Sequence, residues 1–595
     1  MFYHKRTFGQ HQVLAFDKTK FQFKEYLQKI YDTEDLSQLH IGHEEFNNVN
    51  DIETPFHKKF YNSIKSSDEF KQLYCKLIYE IYEQFFPEEM CLIYQSFPSI
   101  RLQFPGSLAI QKHCDSDAIG SHPLGERNFL IPITKMSNTS SIYIESEPGK
   151  EDFESQDLEY GELFYFNGNT CVHYNEPNIE NYLRISFDFR VLTHNDYFKY
   201  IMNTPIISTR PRDENGDRKP VVIMIGGYYQ VVFKKNHDWN WFHKKENIAQ
   251  SRPTFEIEET NAISEYIYSG DPFYTEFKET EKLEKYIKDF MNVKYCSMVT
   301  SGTAAIICAL LACGIGKDDD VIVPAYTMVA TLNAVKIIGA NPVLIDVSPD
   351  TWTITLDEVK KNITSKTKAV IHVSLNNRDV DLISLGKWCK ASSIFLIEDA
   401  AQSVGCRRYG TVGDIGCFSL STPKIISTGQ GGFTVTNNDS LASKIHMIKN
   451  FGRSVGGGEK YDMFGLNFKY TDLQAVIGLA QFKKLPNRIE RYKKIGELYH
   501  KHIPSIKFSS FPWFVDVISE DRDDLAKFLK LHGVETRICY PSLADLPNSN
   551  FISKNGLFLP THMALTDDEI VYICNLVNCY KCRSLLPADT GILVK

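Results

Sequence analysis

The chain has 595 residues, with 74 acidic against 66 Lys and Arg side chains and a formal net charge of −8. That length predicts several domains, and interspersed charge of this sign excludes a nucleic acid or an anionic membrane surface as the expected partner. No apolar run approaches the ~20 residues that span a bilayer, the best being 221–229, and Met1-Phe2-Tyr3-His4-Lys5-Arg6 has no apolar core behind its charges. Neither a membrane span nor a secretory signal is therefore expected, and fourteen cysteines without a framework suit a reducing cytoplasm.

The first hundred residues are aromatic and charged, with a helix predicted over 69–86. Short β-rich runs follow at 108–112, 128–133, 141–145, 162–166 and 184–191, separated by turn signals such as Pro148-Gly149 and Asn167-Gly168-Asn169. Many short strands with such punctuation predict a sandwich, barrel or jelly roll over residues 1–200. Within it, His113 and Asp115 have the i, i+2 spacing that points both side chains of a strand the same way. His173 comes much later, and Arg184 eleven residues after it. Two histidines and a carboxylate can hold one face of an iron(II) ion and leave its other positions open. A later arginine can pair bidentately with the far carboxylate of a keto acid. Ordinary polar residues of an all-β domain satisfy the same spacing.

Further residues bear on this choice. Gly120-Ser121-His122-Pro123-Leu124-Gly125-Glu126-Arg127-Asn128-Phe129, Tyr143-Ile144-Glu145-Ser146-Glu147-Pro148-Gly149, Gly161-Glu162-Leu163, Phe166-Asn167-Gly168 and the run 184–191 resemble a family of 2-oxoglutarate/iron(II) oxygenases of streptomycin-type biosynthetic clusters. The resemblance covers about residues 100–192. It implies an all-β double-stranded β-helix (jelly roll) with helices, His113, Asp115 and His173 as Fe(II) ligands, and Arg184 as the 2-oxoglutarate anchor, with Arg190 competing for that role. The alternative for this domain is a non-catalytic carbohydrate-binding or docking module.

Residues 201–250 are expected to form a linker. They include Arg210-Pro211-Arg212-Asp213-Glu214-Asn215-Gly216-Asp217-Arg218-Lys219-Pro220, a charged Pro/Gly stretch of surface-loop character. A short strand pair is predicted at 221–233. From 251 to 595 apolar strands at 293–299, 321–323, 343–345, 369–373, 394–397 and 414–420 alternate with helices at 304–313, 328–338 and 382–389. That alternation predicts a parallel-leaning sheet with helices on both faces, the large part at 251–490 and a smaller one at 491–595. Ligands of such sheets sit at the carboxyl ends of the strands.

Three motifs lie at those ends. Ser301-Gly302-Thr303-Ala304-Ala305 joins a strand to a helix start, which suits either a phosphate or a simple cap. Glu398-Asp399-Ala400-Ala401-Gln402-Ser403 places a carboxylate where it can pair with a protonated pyridine nitrogen. Gly416-Cys417-Phe418-Ser419-Leu420-Ser421-Thr422-Pro423-Lys424 brings a lysine close behind a strand, the arrangement of an amine that holds pyridoxal phosphate as a Schiff base once desolvated. Cys579-Tyr580-Lys581-Cys582 is a single CxxC and is read as incidental, since a closed zinc site needs four ligands.

In order and identity these pieces, with Val323-Pro324-Ala325-Tyr326-Thr327, Gly465-Leu466-Asn467-Phe468-Lys469-Tyr470-Thr471-Asp472-Leu473-Gln474-Ala475, Gly533-Val534-Glu535-Thr536-Arg537 and Tyr540-Pro541, resemble the DegT/DnrJ/EryC1/StrS sugar-nucleotide aminotransferases. The resemblance runs over about 268–577 and implies the α/β fold of the aspartate aminotransferase type (fold type I). It assigns Lys424 to the cofactor aldehyde and the shuttled proton, Asp399 to the pyridine nitrogen and Gln402 to the ring hydroxyl. Gly302, Thr303 and Ser419 take the phosphate, and Asn467 reaches that phosphate from a neighbouring subunit, which implies a homodimer. Where the family usually has an aromatic stacked on the ring, this chain has Met328, whose thioether can contact a π-face. Val373-Ser374-Leu375-Asn376-Asn377-Arg378 replaces a glycine-containing turn on the substrate side. Lysine rather than histidine at 424 implies amino transfer, from glutamate to a nucleotide-linked 4-keto-6-deoxyhexose. The segment 424–432 looks most like the perosamine-synthase branch.

Overall fold

The computed structural model describes residues 2–49, 54–89, 91–116, 122–201, 207–208, 221–222, 225, 228–233, 247–270, 275–455, 460–506, 508 and 510–582. The chain divides into two units, Met1–Lys245 with Asn575–Lys595, and Glu246–Cys574. The expected linker motif 210–220 lies outside the described residues.

The first unit is assembled on alternation. Its strands are β1 Tyr3–Phe8, β2 His11–Ala15, β3 Cys91–Gln95, β4 Ser99–Gln103, β5 Arg127–Pro132, β6 Ile142–Ile144, β7 Glu154–Gln156, β8 Glu162–Phe166, β9 His173–Tyr174, β10 Arg184–Thr193, β11 Ile207–Ser208, β12 Val221–Val222 and β13 Tyr229–Phe233. An antiparallel sheet runs β1-β2-β8-β5-β10-β3-β13, with β4 also on β10, and a smaller one runs β7-β6-β9. Phe129, Ile131 and Leu163 point into one core with Phe23, Phe60, Phe70 and Tyr74 of the helices Phe23–Tyr31, Pro55–Ser66 and Asp68–Phe85. Their sheet neighbours Leu130, Phe164 and Phe166 point the other way, into a core shared with Ile142 and Ile144 of the small sheet. The large sheet is thus covered by helices on one face and by strands on the other, as period-two side chains require.

Two sequence expectations fail here. The strand predicted at 108–112 does not form, because the backbone there is used by a loop: Asn178 N–H donates to Ser107 O and Asn175 N–H to Ile110 O, leaving only the bridge His113↔His173. Nor do the strands Val221–Val222 and Tyr229–Phe233 pair with one another, the described residues of this stretch sharing the bridge Ile225↔Tyr229. β12 pairs with β11, and β13 adds to the edge of β3, register Val231↔Ile93.

In the second unit the large sheet has strands β14 Tyr295–Val299, β15 Asp320–Pro324, β16 Asn341–Ile345, β17 Thr367–Val373, β18 Phe395–Asp399, β19 Ile415–Ser419 and β20 Gly432–Thr436. Their order is β14-β20-β19-β18-β17-β15-β16. β15 to β19 are parallel, and β20 runs antiparallel to both its neighbours. β20 was not predicted. It starts at Gly432, where a Cβ would come within 2.5 Å of the Ser301 carbonyl group, so glycine lets this strand pass against the turn that opens the helix Gly302–Ala312. That helix is apolar on nearly every side and buried, as expected of one enclosed between sheet and outer helices. A three-stranded sheet of Asp516–Ile518, Gly556–Phe558 and Arg537–Ile538 completes the unit. Among the described residues no helix is long and apolar enough to cross a membrane.

Candidate active sites

β18 and β19 are parallel, in register Asp399↔Cys417, so the segments after Asp399 and Ser419 leave the same carboxyl edge of the sheet. Alternation along β18 separates two adjacent acids. Glu398 turns to a loop and accepts the N–H groups of Gly410, Val412 and Gly413 at 2.6, 2.7 and 2.6 Å. Asp399 turns to the site, where Thr331 Oγ1 donates to its Oδ2 at 2.6 Å and Ala401 N–H to its Oδ1 at 3.2 Å. Burial raises the Asp399 pKa, and these two donors together with the Lys424 charge oppose the rise.

Lys424 follows β19 in a turn closed by its own N–H on Ser421 O, 3.0 Å. Its Nζ stands 3.9 Å from the centroid of the Trp513 ring. Trp513 Nε1 in turn donates to Pro423 O at 2.9 Å, which fixes the ring to the peptide just before the lysine. Burial pulls the lysine down to about 8; Asp399 resists that shift and Arg537 adds to it. Lys424 also lines a recess with Arg252, Thr254, Gln481 and Arg488.

On the same edge, Ser301 caps the helix Gly302–Ala312 by accepting Ala304 N–H at 3.1 Å. Gly302 sits flush against Ser419: a Cβ added at 302 would lie 2.9 Å from the Ser419 Cβ. The capping and phosphate readings of this motif are therefore compatible, because the cap uses Ser301 while Gly302, Thr303 and Ser419 form the surface beside it. A half-buried amine whose pKa is lowered to about 8, a buried carboxylate with two hydrogen-bond donors, and a helix N-terminus floored by glycine have the chemistry that an aldehyde, a pyridine nitrogen and a phosphate require. These residues fit pyridoxal phosphate.

Other expected residues have different settings. Gln402 is buried; its Oε1 accepts Asn376 N–H at 2.8 Å, and its Nε2 stands 3.5 Å from Tyr540 Oη. Met328 is 46% exposed and its Sδ accepts Ala330 N–H. Asn467 lies in a segment bridged to Asn450. The unusual turn after β17 is strongly built: Asn376 and Asn377 have φ of 48° and 55°, Asn376 Nδ2 donates to Asp516 Oδ2 at 2.7 Å, and Arg378 pairs with Asp516 while stacking 3.9 Å over Trp352. Sequence reasoning missed Thr331, Trp513 and Asp516. Thr331 follows Met328 by three residues at a helix start, which is a usable signal; Trp513 and Asp516 carry none, being about 90 residues or more from their partners.

The first unit holds a second constellation. His113, Asp115 and His173 offer one ligand atom each, all within 4.8 Å of one another, in a pocket that Arg101, Asp188 and Arg190 also line. Both imidazoles are oriented by backbone carbonyls two residues earlier: His113 Nδ1 to Gln111 O, 2.6 Å, and His173 Nδ1 to Cys171 O, 3.2 Å. Nε2 is the remaining ring nitrogen of each, that of His113 lying 3.4 Å from Asp115 Oδ1, and fixing one nitrogen in this way prepares the other for a metal. Burial lowers His173 to about 4, so it is neutral at pH 7. Burial pushes Asp115 up, but Arg190 and the facing histidines hold its carboxyl well below the usual range. Arg190 grips it through Nε–Oδ2, 3.0 Å, and Nη2–Oδ1, 3.1 Å, and Asn128 Nδ2 donates to Oδ2 at 2.7 Å. The triad thus fits iron(II). Arg184 is fully buried, with its guanidinium on Asn175, Ser186 and Gln103, and burial lowers it to about 9.

Comparison with known proteins places the second unit. The profile of the DegT/DnrJ/EryC1/StrS aminotransferase family matches residues 254–578. A GDP-perosamine synthase of Escherichia coli O157:H7 is 32% identical over 324 residues, half of this chain and 89% of the relative. One from Vibrio cholerae is 32% identical over 334 residues, 51% of this chain and 91% of its own. Among solved structures, the aminotransferase TlmJ from Streptoalloteichus hindustanus has a TM-score of 0.53 at 26% identity, covering 57% of this chain and all of its own. NtdA from Bacillus subtilis, with bound cofactor PMP, has a TM-score of 0.51 at 26% identity over 55% of this chain and 82% of its own.

Proposed function

The chain belongs to the DegT/DnrJ/EryC1/StrS aminotransferase family, with the type I aminotransferase fold in its C-terminal half, and from that premise we propose that it moves an amino group from glutamate to a nucleotide-linked 4-keto-6-deoxyhexose. The glutamate leaves as 2-oxoglutarate and the amine replaces the keto oxygen of the sugar. One observation carries this reading: Lys424 is half-buried against Trp513 and electrostatically coupled to the buried Asp399. Pyridoxal phosphate, when bound, supplies the electron sink that loosens the proton on the substrate carbon. Lys424 then holds the aldehyde and carries that proton, and Asp399, backed by Thr331, keeps the pyridine nitrogen protonated. Gly302, Thr303 and Ser419 receive the phosphate, Gln402 faces the ring, Met328 covers it, and Asn467 serves the site of a second subunit in a homodimer. The likeness to GDP-perosamine synthases supports a GDP-linked sugar as the acceptor; amination at its 4-position, in the cytoplasm, is part of the same proposal. Purified protein should show a visible cofactor band and a borohydride-reducible adduct, both lost in Lys424→Ala, and should aminate a nucleotide-linked keto sugar from glutamate by mass spectrometry. A wild-type protein that forms no adduct would overturn the assignment.

We further propose that the first unit is a jelly-roll oxygenase using Fe(II) and 2-oxoglutarate. His113, Asp115 and His173 would hold one face of the metal, where it and the keto acid together activate dioxygen. Arg184 was the expected anchor of the keto acid; Arg101 and Arg190, which line the metal pocket, are better supported. The 2-oxoglutarate released by amino transfer is the cosubstrate this chemistry consumes. The bidentate Arg190–Asp115 pair favours a second reading, a carbohydrate-binding or docking module, because it already satisfies the carboxylate. Anaerobic iron titration separates them: tight binding abolished by His113→Ala supports the oxygenase, and no binding supports the module.

A further inference from the structure

Cys91, His194 and Cys579 converge in the first unit although nearly 500 residues separate the first from the last. Cys91 opens β3, His194 is the first residue of the helix His194–Tyr200, and Cys579 lies in the last turns of the helix Asp567–Cys582. All three are buried, the sulfurs at 0% exposure and the histidine at 3%. Each offers a ligand atom, and these atoms lie within 4.8 Å of one another. A tetrahedral zinc with Zn–S of about 2.3 Å and Zn–N of about 2.0 Å holds its donors roughly 3.5 Å apart, so small side-chain movements bring this trio into coordination. The histidine is already oriented toward the helix, with Nε2 2.6 Å from Cys579 O. Cys579, read as incidental in the sequence, thus has potential co-ligands in space.

We propose that Cys91, His194 and Cys579 form a zinc site that fastens the final helical turns to β3 and the start of the helix at His194. Zinc binding displaces the protons of the two thiols to solvent, and no oxidant or reductant is involved. Because the donors lie nearly 500 residues apart in the chain, the metal would contribute directly to the folding of this unit.

The test uses the full chain in a His113→Ala background, which removes the other metal-ligand set. Refolding or exchange with cobalt(II) should produce the ultraviolet thiolate-to-cobalt band and the visible bands of a tetrahedral centre, which a His/Asp site cannot give. Both should vanish in Cys91→Ser and Cys579→Ser. Absence of the thiolate band, or a band unchanged in both variants, overturns the proposal. Should those variants fail to fold, wild-type protein decides: Cys91 and Cys579 should resist alkylation as purified and become alkylated after chelation, by peptide mass mapping. Recovery of the two as a disulfide, or protection unaltered by chelation, counts against zinc.

Discussion

The Lys424 ammonium lies against the face of Trp513, 3.9 Å from the ring centroid. The ring does two opposed things: it favours the cation through its quadrupole, and it excludes the water that would favour the cation more. Burial is the largest influence on this lysine, and a cation–π contact is worth only about 0.5–2 kcal/mol. Exclusion therefore wins. Trp513→Ala should raise the pH midpoint for cofactor capture, whereas Trp513→Phe, which keeps the cover but loses the bond to Pro423, should leave it nearly unchanged. The midpoint is read from the rate of adduct formation against pH.

The wild-type profile itself has a sign. With Lys424 lowered to about 8, its neutral, nucleophilic form is a minority at pH 7 and a majority at pH 9. Capture of pyridoxal phosphate by apoprotein should accelerate roughly tenfold per unit below the midpoint and level off above it. A midpoint near that of free lysine would contradict the buried setting.

Thr331 supplies one of two donors to Asp399. Thr331→Val keeps the volume and removes the bond, so the buried carboxylate loses about 1.5–3 kcal/mol of stabilisation and its pKa climbs further. Turnover should drop by roughly tenfold or more, with a profile shifted to higher pH, and Thr331→Ser should restore both. Steady-state kinetics across pH reads the effect.

Gly302→Ala places a methyl 2.9 Å from the Ser419 Cβ. Overpacking of this kind costs about 1–3 kcal/mol, and here it falls on the surface that would receive a phosphate. The variant should remain folded by circular dichroism yet bind pyridoxal phosphate more weakly, as measured by equilibrium dialysis.

Arg190 orients Asp115 through two parallel bonds. Arg190→Lys removes the fork while keeping the charge. Partners of a metal ligand typically matter 10–100-fold in affinity, and anaerobic iron(II) titration should show a loss of about that size.

What could be read from the residues in advance was local. β8 and β19 follow from alternating or continuous apolar runs ending in turn residues, and Lys424 follows from its place just beyond one of them. β3, by contrast, is an apolar run behind a long helix, with no alternation to mark it, and was missed along with β4. At 108–112 the composition suits a strand, but the loop's carbonyls are claimed by Asn175 and Asn178, more than sixty residues on. The same holds for the site: Asp399 and Lys424 sit in motifs, while Trp513 and Asp516 reach it only through tertiary packing of a distant segment.

The first unit takes in chain from both termini, Met1–Lys245 and Asn575–Lys595. No single scission can therefore release the two halves as intact products. A nick near residue 246 strands the N-terminal fragment without the helical turns that finish it, and a fragment begun there carries those turns away with the aminotransferase. Splitting this gene in two would need a permuted design, in which the closing turns are moved to the front half.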